Sequence, residues 1–211
     1  MNLSQRLVYS MKICWVIFCA LSLNSYTDTS KAQGNSGSSG GPNRGKAEIS
    51  VIDPLEFGEY LSLIPNGGSG EVSVTPTGAS SASNLRQLDS AANPARVTVL
   101  ETFPSQGQPF ESDYDIIIST RTLESNNNGQ TIDFKRLSVQ FYEDNRGSNS
   151  GNVINRTVTG TGPLSIELQN VDLPSGDQPG NLLIGGTLEI GASDTGTFNT
   201  DILIEALKHH D

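Results

Sequence analysis

The chain has 211 residues and a formal charge of −10, from 13 Lys and Arg against 23 Asp and Glu. Cys14, Cys19, Trp15, Met1 and Met11 all fall within the first 32 residues, and His209 and His210 stand at the far end. The stretch between holds no thiol, imidazole, thioether or indole, which excludes a histidine-activated nucleophile, a catalytic cysteine and a disulfide framework there. Its basic residues, among them Lys46, Arg86, Arg96, Arg121, Lys135, Arg136, Arg146 and Arg156, are scattered, so the clustered positive face that nucleic acid requires is missing.

The first element reads as an export signal over residues 1–32. Arg6 and Lys12 give it a positive start, Ile13–Leu23 is an apolar run of 11 residues, and Ser30 and Ala32 supply small side chains for cleavage before Gln33. A start at Met11 gives a more compact signal of the same kind. The run is too short to span about 30 Å of hydrocarbon, which takes about 20 residues. Cys19 follows the bulky Ile17 and Phe18, against the small residues that precede a lipid-anchored cysteine. The mature chain is therefore expected to be secreted, periplasmic or at the cell surface, with no transmembrane segment. Losing Arg6, Lys12, Lys31 and Asp28 takes its formal charge from −10 to −12, which favours solubility.

Residues 33–45, rich in Gly, Ser and Asn, are expected to be a flexible linker. From Lys46 the pattern changes to period two, the mark of strands with one face inward. Ala47, Ile49 and Val51 alternate with polar residues, as do Val72 and Val74, Val97 and Val99, then Tyr114, Ile116 and Ile118. Leu137, Val139 and Phe141 continue the pattern, followed by Leu164, Ile166 and Leu168. Ile184, Leu188 and Ile190, then Phe198, Ile202 and Ile204, complete it. Ser83–Ala92 reads as an irregular strand, with a short helical turn as the alternative, and Phe57-Gly58 is expected to bury an aromatic ring and then turn. Turn-formers cluster at 65–68, 126–129, 147–151 and 174–177. The expectation is one all-β domain over 46–208, an antiparallel two-sheet sandwich of about nine or ten strands.

Several motifs carry a resemblance. Leu55-Glu56-Phe57-Gly58 is followed by Gly70–Gly78, then Ala95-Arg96-Val97-Thr98-Val99, Leu183–Ile190 and Gly196-Thr197-Phe198. In this order and spacing they resemble the bacterial secreted family known as domain of unknown function 4402, over nearly all of 46–207. The resemblance implies an exported, immunoglobulin-like sandwich of the sort found in pilin-like and cell-surface subunits, and brings no catalytic residues with it. The loops around 101–113 and 142–156 are longer and more polar than that pattern.

Among candidate chemical groups, His209 and His210 sit in a charged tail, short of the four placed ligands of a structural zinc site. Paired acids cleave glycosidic bonds when about 5 to 10 Å apart in a cleft. The pairs here are Asp113 with Asp115 and Glu143 with Asp144, and the alternation sends the first pair to solvent. Asp144–Asn152 is rich in oxygens but offers too few carboxylates for calcium, with Arg146 opposing a cation. Asn155-Arg156-Thr157 fits the N-glycosylation pattern. Gly185-Gly186 interrupts an apolar strand, where a missing Cβ permits a bulge or a close approach.

No catalytic, cofactor-binding or metal-binding residue is assigned, and the expectation is a non-enzymatic structural or surface protein. Its expected partners are its own copies, by strand addition through 46–52 or 198–206, or other surface proteins. The alternative is a module that holds glycan or protein through Tyr60, Phe103, Phe110 and Tyr142, taken to lie near loops. A carboxylate glycosidase is the third reading.

Overall fold

Alternation of buried and outward side chains organises the strands of this protein, seen in a computed structural model. The structure describes residues 16–20, 46–63, 68–88, 92–102, 113–125, 131–143, 153–174, 179–191, 196–199 and 202–208. These form sixteen strand segments, and no helix occurs among the described residues. In chain order they are β1 (Val16–Ala20), β2 (Lys46–Asp53), β3 (Glu56–Ser62), β4 (Ser69–Val74), β5 (Ser80–Ser83) and β6 (Leu85–Gln87). Next come β7 (Ala95–Thr102), β8 (Asp113–Thr120), β9 (Leu123–Ser125), β10 (Thr131–Ile132) and β11 (Phe134–Tyr142). The last are β12 (Val153–Thr159), β13 (Ser165–Asp172), β14 (Gly180–Gly191), β15 (Gly196–Asn199) and β16 (Ile202–Lys208).

Hydrogen bonding groups them into three sheets. One runs β10-β9-β15-β1-β3-β6, the second β12-β11-β14-β4-β5 with β7 and β2 continuing from β14, and the third β13-β8-β16. Every pairing among the described strands is antiparallel except β1 with β15. The architecture is an all-β antiparallel sandwich. The seven-stranded sheet meets the other two across one apolar core, where Phe57 of β3 stands edge-on to Phe134 of β11 with ring centroids 6.0 Å apart. Tyr114, Ile116 and Ile118 of β8, Val97 and Val99 of β7, and Leu137, Val139 and Phe141 of β11 all turn inward as their alternation requires.

The segments outnumber the nine or ten expected because several are pieces of two to four residues. The polar loop expected over 142–156 is shorter than its composition indicates, since β12 begins at Val153 and pairs along β11. Phe57 is buried as expected, but no turn follows it: Gly58, at φ +86°, lies inside β3. Tyr60, expected near a loop, is 1% exposed within β3. The strands considered for export to a neighbour are paired at home, β2 on β7 and β16 on β8. No helix among the described residues is long and apolar enough to cross a membrane.

β14 is the strand on which the large sheet converges, since it pairs with β11, β4 and β7. Gly185 is there for space. A Cβ at this position would stand 2.7 Å from the carbonyl carbon of Thr75 and 2.8 Å from Pro76 N, and closer still to the Val74 carbonyl oxygen. These obstacles are backbone, where β4 ends, so a rotamer change relieves nothing. At Gly186 a Cβ would meet the Phe134 ring at 2.8 Å, the ring that meets Phe57 edge-on.

Gly185→Ala is accordingly expected to cost about 1–3 kcal/mol by overpacking, read as a lower midpoint in urea. Val153→Ala, at a side chain 43% exposed, should stay within about 0.5 kcal/mol of the parent.

Candidate functional site

Among the described residues, three places with acidic side chains bear on function. The first is inside the sandwich. Glu101 ends the inward series Ala95, Val97, Val99 on β7 and is 2% exposed. Its carboxylate accepts a hydrogen bond from the Tyr114 hydroxyl at 2.9 Å, and its backbone N–H donates to the Pro174 carbonyl at 3.0 Å. Burial, reinforced by the hydrogen bond and the negative charge of Glu101, pushes the Tyr114 hydroxyl well above the usual tyrosine range. The pair therefore ties β7 to β8 across the core and holds its proton through the physiological range.

The second lies on the outer face of the large sheet. Glu71 of β4 and Glu189 of β14 are direct register partners, an arrangement that sets like charges side by side. Lys135 resolves it. The β11–β14 register shifts between Phe134 and Arg136, so Lys135 is the extra residue of a bulge. From there its ammonium reaches Glu71 Oε1 at 2.7 Å and Glu189 Oε2 at 3.1 Å. Ser69 Oγ donates to the other oxygen of Glu189 at 2.8 Å. Hydrogen bonds to Glu71 and Glu189 raise the Lys135 pKa, and the bonds from Ser69 and Lys135 lower that of Glu189. These are fixed charges, and neither group exchanges a proton near neutrality. A shallow cleft of about 190 Å³ adjoins them, lined by Thr131, Ile132, Asp133, Phe134, Lys135, Thr161 and Glu189.

The third is the acid pair expected on β8. Asp113 is exposed and Asp115 half-buried on the outward face, opposite to Tyr114. Asp115 is committed to structure: its Oδ1 accepts from the Asn170 N–H at 3.1 Å. Asn170 sits at φ +52° in the bulge of β13 between Leu168 and Val171, and the carboxylate satisfies a donor the ladder leaves over. Glu143 is half-buried just after β11, while its expected companion Asp144 lies outside the described residues. The 144–152 loop, Phe103, Phe110, His209 and His210 lie outside them as well. Tyr142 is half-buried at the end of β11, and Asn155 falls on exposed positions of β12. Among the described residues no three of His, Cys, Asp and Glu gather in a way that would hold a metal ion.

Neither Glu101 nor Lys135 stands out as a candidate in the sequence, where Lys135 is one scattered basic residue among several. For Glu101 the signal was present, because it continues the inward period of β7. Lys135 had none, since a bulge is invisible in an alternation pattern.

With the sandwich and its polar clusters in place, the chain can be assigned. The profile of the family described as domain of unknown function (DUF4402) matches residues 48–206, and the chain belongs to that family. No curated protein matches the chain, and neither does any solved structure.

Tyr114→Phe leaves the buried Glu101 without this donor and should cost about 1–3 kcal/mol. The tyrosine contribution is complete below the ordinary value of 10.0 and drains away as pH rises past it, because the unfolded chain releases the proton first. Thermal midpoints of the parent should thus fall faster above pH 10 than those of Tyr114→Phe. For the surface cluster, Lys135→Ala should lower the midpoint at low salt and less so at high salt. Adding Glu71→Gln to it should recover much of the loss.

Proposed function

We propose that this is an exported, non-enzymatic β-sandwich that serves as a structural or cell-surface protein, in the manner of a subunit of a larger surface assembly. The observation that carries this reading is the join of a basic-led apolar run, Ile13–Leu23, to a body whose described residues form sheets and no helix. The functional groups of that body support it further. Glu101 with Tyr114, Lys135 with its two glutamates, and Asp115 with the β13 bulge each spend their polarity on holding strands in register. Membership of the DUF4402 family is consistent with the reading and adds no activity to it. Export places the protein in the periplasm, at the surface or outside the cell, with its own copies or other surface proteins as partners. The glycan-holding alternative is weaker because Tyr60, one of its four aromatic candidates, is in the core.

The test is the mass and N-terminal sequence of the protein recovered from cell fractions. The reading expects a chain beginning at Gln33 outside the cytoplasm. An intact chain from Met1 or Met11 that stays in the cytoplasm would overturn it.

A further inference from the structure

β1 is an interior strand of the six-stranded sheet, with β15 on one side and β3 on the other. Ile17, Phe18 and Cys19 pair in parallel with Gly196, Thr197 and Phe198. On the opposite edge Val16, Ile17, Phe18 and Cys19 pair antiparallel with Leu61, Tyr60, Glu59 and Gly58, and Ala20 then skips to Glu56. All five residues of β1 are apolar in the sequence, and all five belong to the run that the proposed signal peptide comprises. β1 is also the strand of the one parallel ladder among those described.

We infer that the space between β3 and β15 is a strand-accepting slot, and that its occupant once residues 1–32 are gone is an apolar extended segment of a different polypeptide. The inference rests on the proposed removal of the leader. Adjacent strands lie about 4.8 Å apart, so β3 and β15 face each other across about 9.6 Å and cannot hydrogen-bond directly. Removing β1 divides the sheet into β10-β9-β15 and β3-β6, each with a fresh edge of unpaired N–H and C=O groups turned towards the other. Two facing edges one strand apart form a stronger template than one edge, because an entering strand satisfies both at once.

The chemistry of the occupant follows from what fills the slot here: at least five consecutive residues, extended, apolar, running parallel to β15. The processed chain has no such segment to spare. Residues 33–45 contain no aromatic residue and no Ala, Val, Leu, Ile or Met, β2 is engaged by β7, and β16 by β8. A second processed copy would have to dismantle its own sheet to fill the slot, so the donor is another protein. The chain is then an acceptor, suited to join an assembly at a place where a neighbour supplies the missing strand.

The full chain tests this directly, with Trp15 as its sole indole. A protease site replaces Ser36–Gly40 in the linker, the folded full chain is cut there, and the products are separated by size while Trp15 emission is followed. The leader fragment should co-elute one-to-one with the body. Excess synthetic peptide of residues 14–21, flanked by lysines for solubility, should displace it, and the same peptide with Phe18→Asp should not. Immediate loss of the Trp15 signal from a body that keeps its β-sheet circular dichroism would overturn the slot. A body that dimerises as the fragment leaves would overturn the choice of occupant in favour of a second copy.

A second arm needs no cutting. In the full chain with Cys14→Ser and Phe198→Cys, oxidation should form an intramolecular disulfide from Cys19 to the register partner at 198, and absence of the bond in a folded chain would also overturn the slot. The N-terminus of the exported protein reports on the leader alone. Cleavage at Gln33 without strand capture sinks the slot and leaves export standing, whereas capture by a chain that keeps its leader in cells sinks export and the choice of occupant.

Discussion

The close approach of backbone to β14 is the constraint from which the rest of the large sheet takes its shape. β14 runs from Gly180 to Gly191 and pairs with three strands, and it does so because Gly185 and Gly186 bring no side chains to the places where neighbours crowd in. One of those neighbours is the end of β4 at Val74–Pro76; the other is the Phe134 ring. Phe134 in turn meets Phe57 of β3, so the position of the six-stranded sheet depends on a glycine in the opposite layer. Packing at interior density transmits such a constraint because it leaves no slack to absorb it.

Irregularities in the ladders account for most of the polar contacts. The bulge in β11 releases Lys135 to stand between two glutamates that the register forces together. The bulge in β13 leaves the Asn170 N–H over, and Asp115 accepts it. Glu101 differs, being buried where an aliphatic residue would continue the β7 series, and it is tolerated because Tyr114 and Pro174 answer its polar groups. In each case a charge that might be taken for chemistry is holding strands together.

The long strands were legible in the sequence because each has one wet face and one dry face. β4, β7, β8, β11 and β13 therefore declare themselves by alternation. β12 did not, because it is an edge strand whose Asn155-Arg156-Thr157 centre is exposed and only Ile154 and Val158 pack on the core. In β3 the positive φ of Gly58 interrupts the period, and a turn was the natural expectation. β1 was illegible for another reason: a uniformly apolar run has no alternation, and its basic lead matched an export signal. Both descriptions of that segment hold if it is first a strand of the full chain and then lost. Bulge residues such as Lys135 lie beyond periodicity altogether, since register is a property of two strands and not of one.

The sandwich thus has a permanent part, fixed around β14, and a part whose completion depends on a strand that the chain is proposed to lose. Amide hydrogen exchange on the full chain and on the chain lacking residues 1–32 separates the two most directly. The account predicts that protection at Gly58–Leu61 and Gly196–Phe198 falls steeply in the shorter chain, while protection along β14 at Leu182–Leu188 is kept. Equal protection of β3 and β15 in both chains would contradict it.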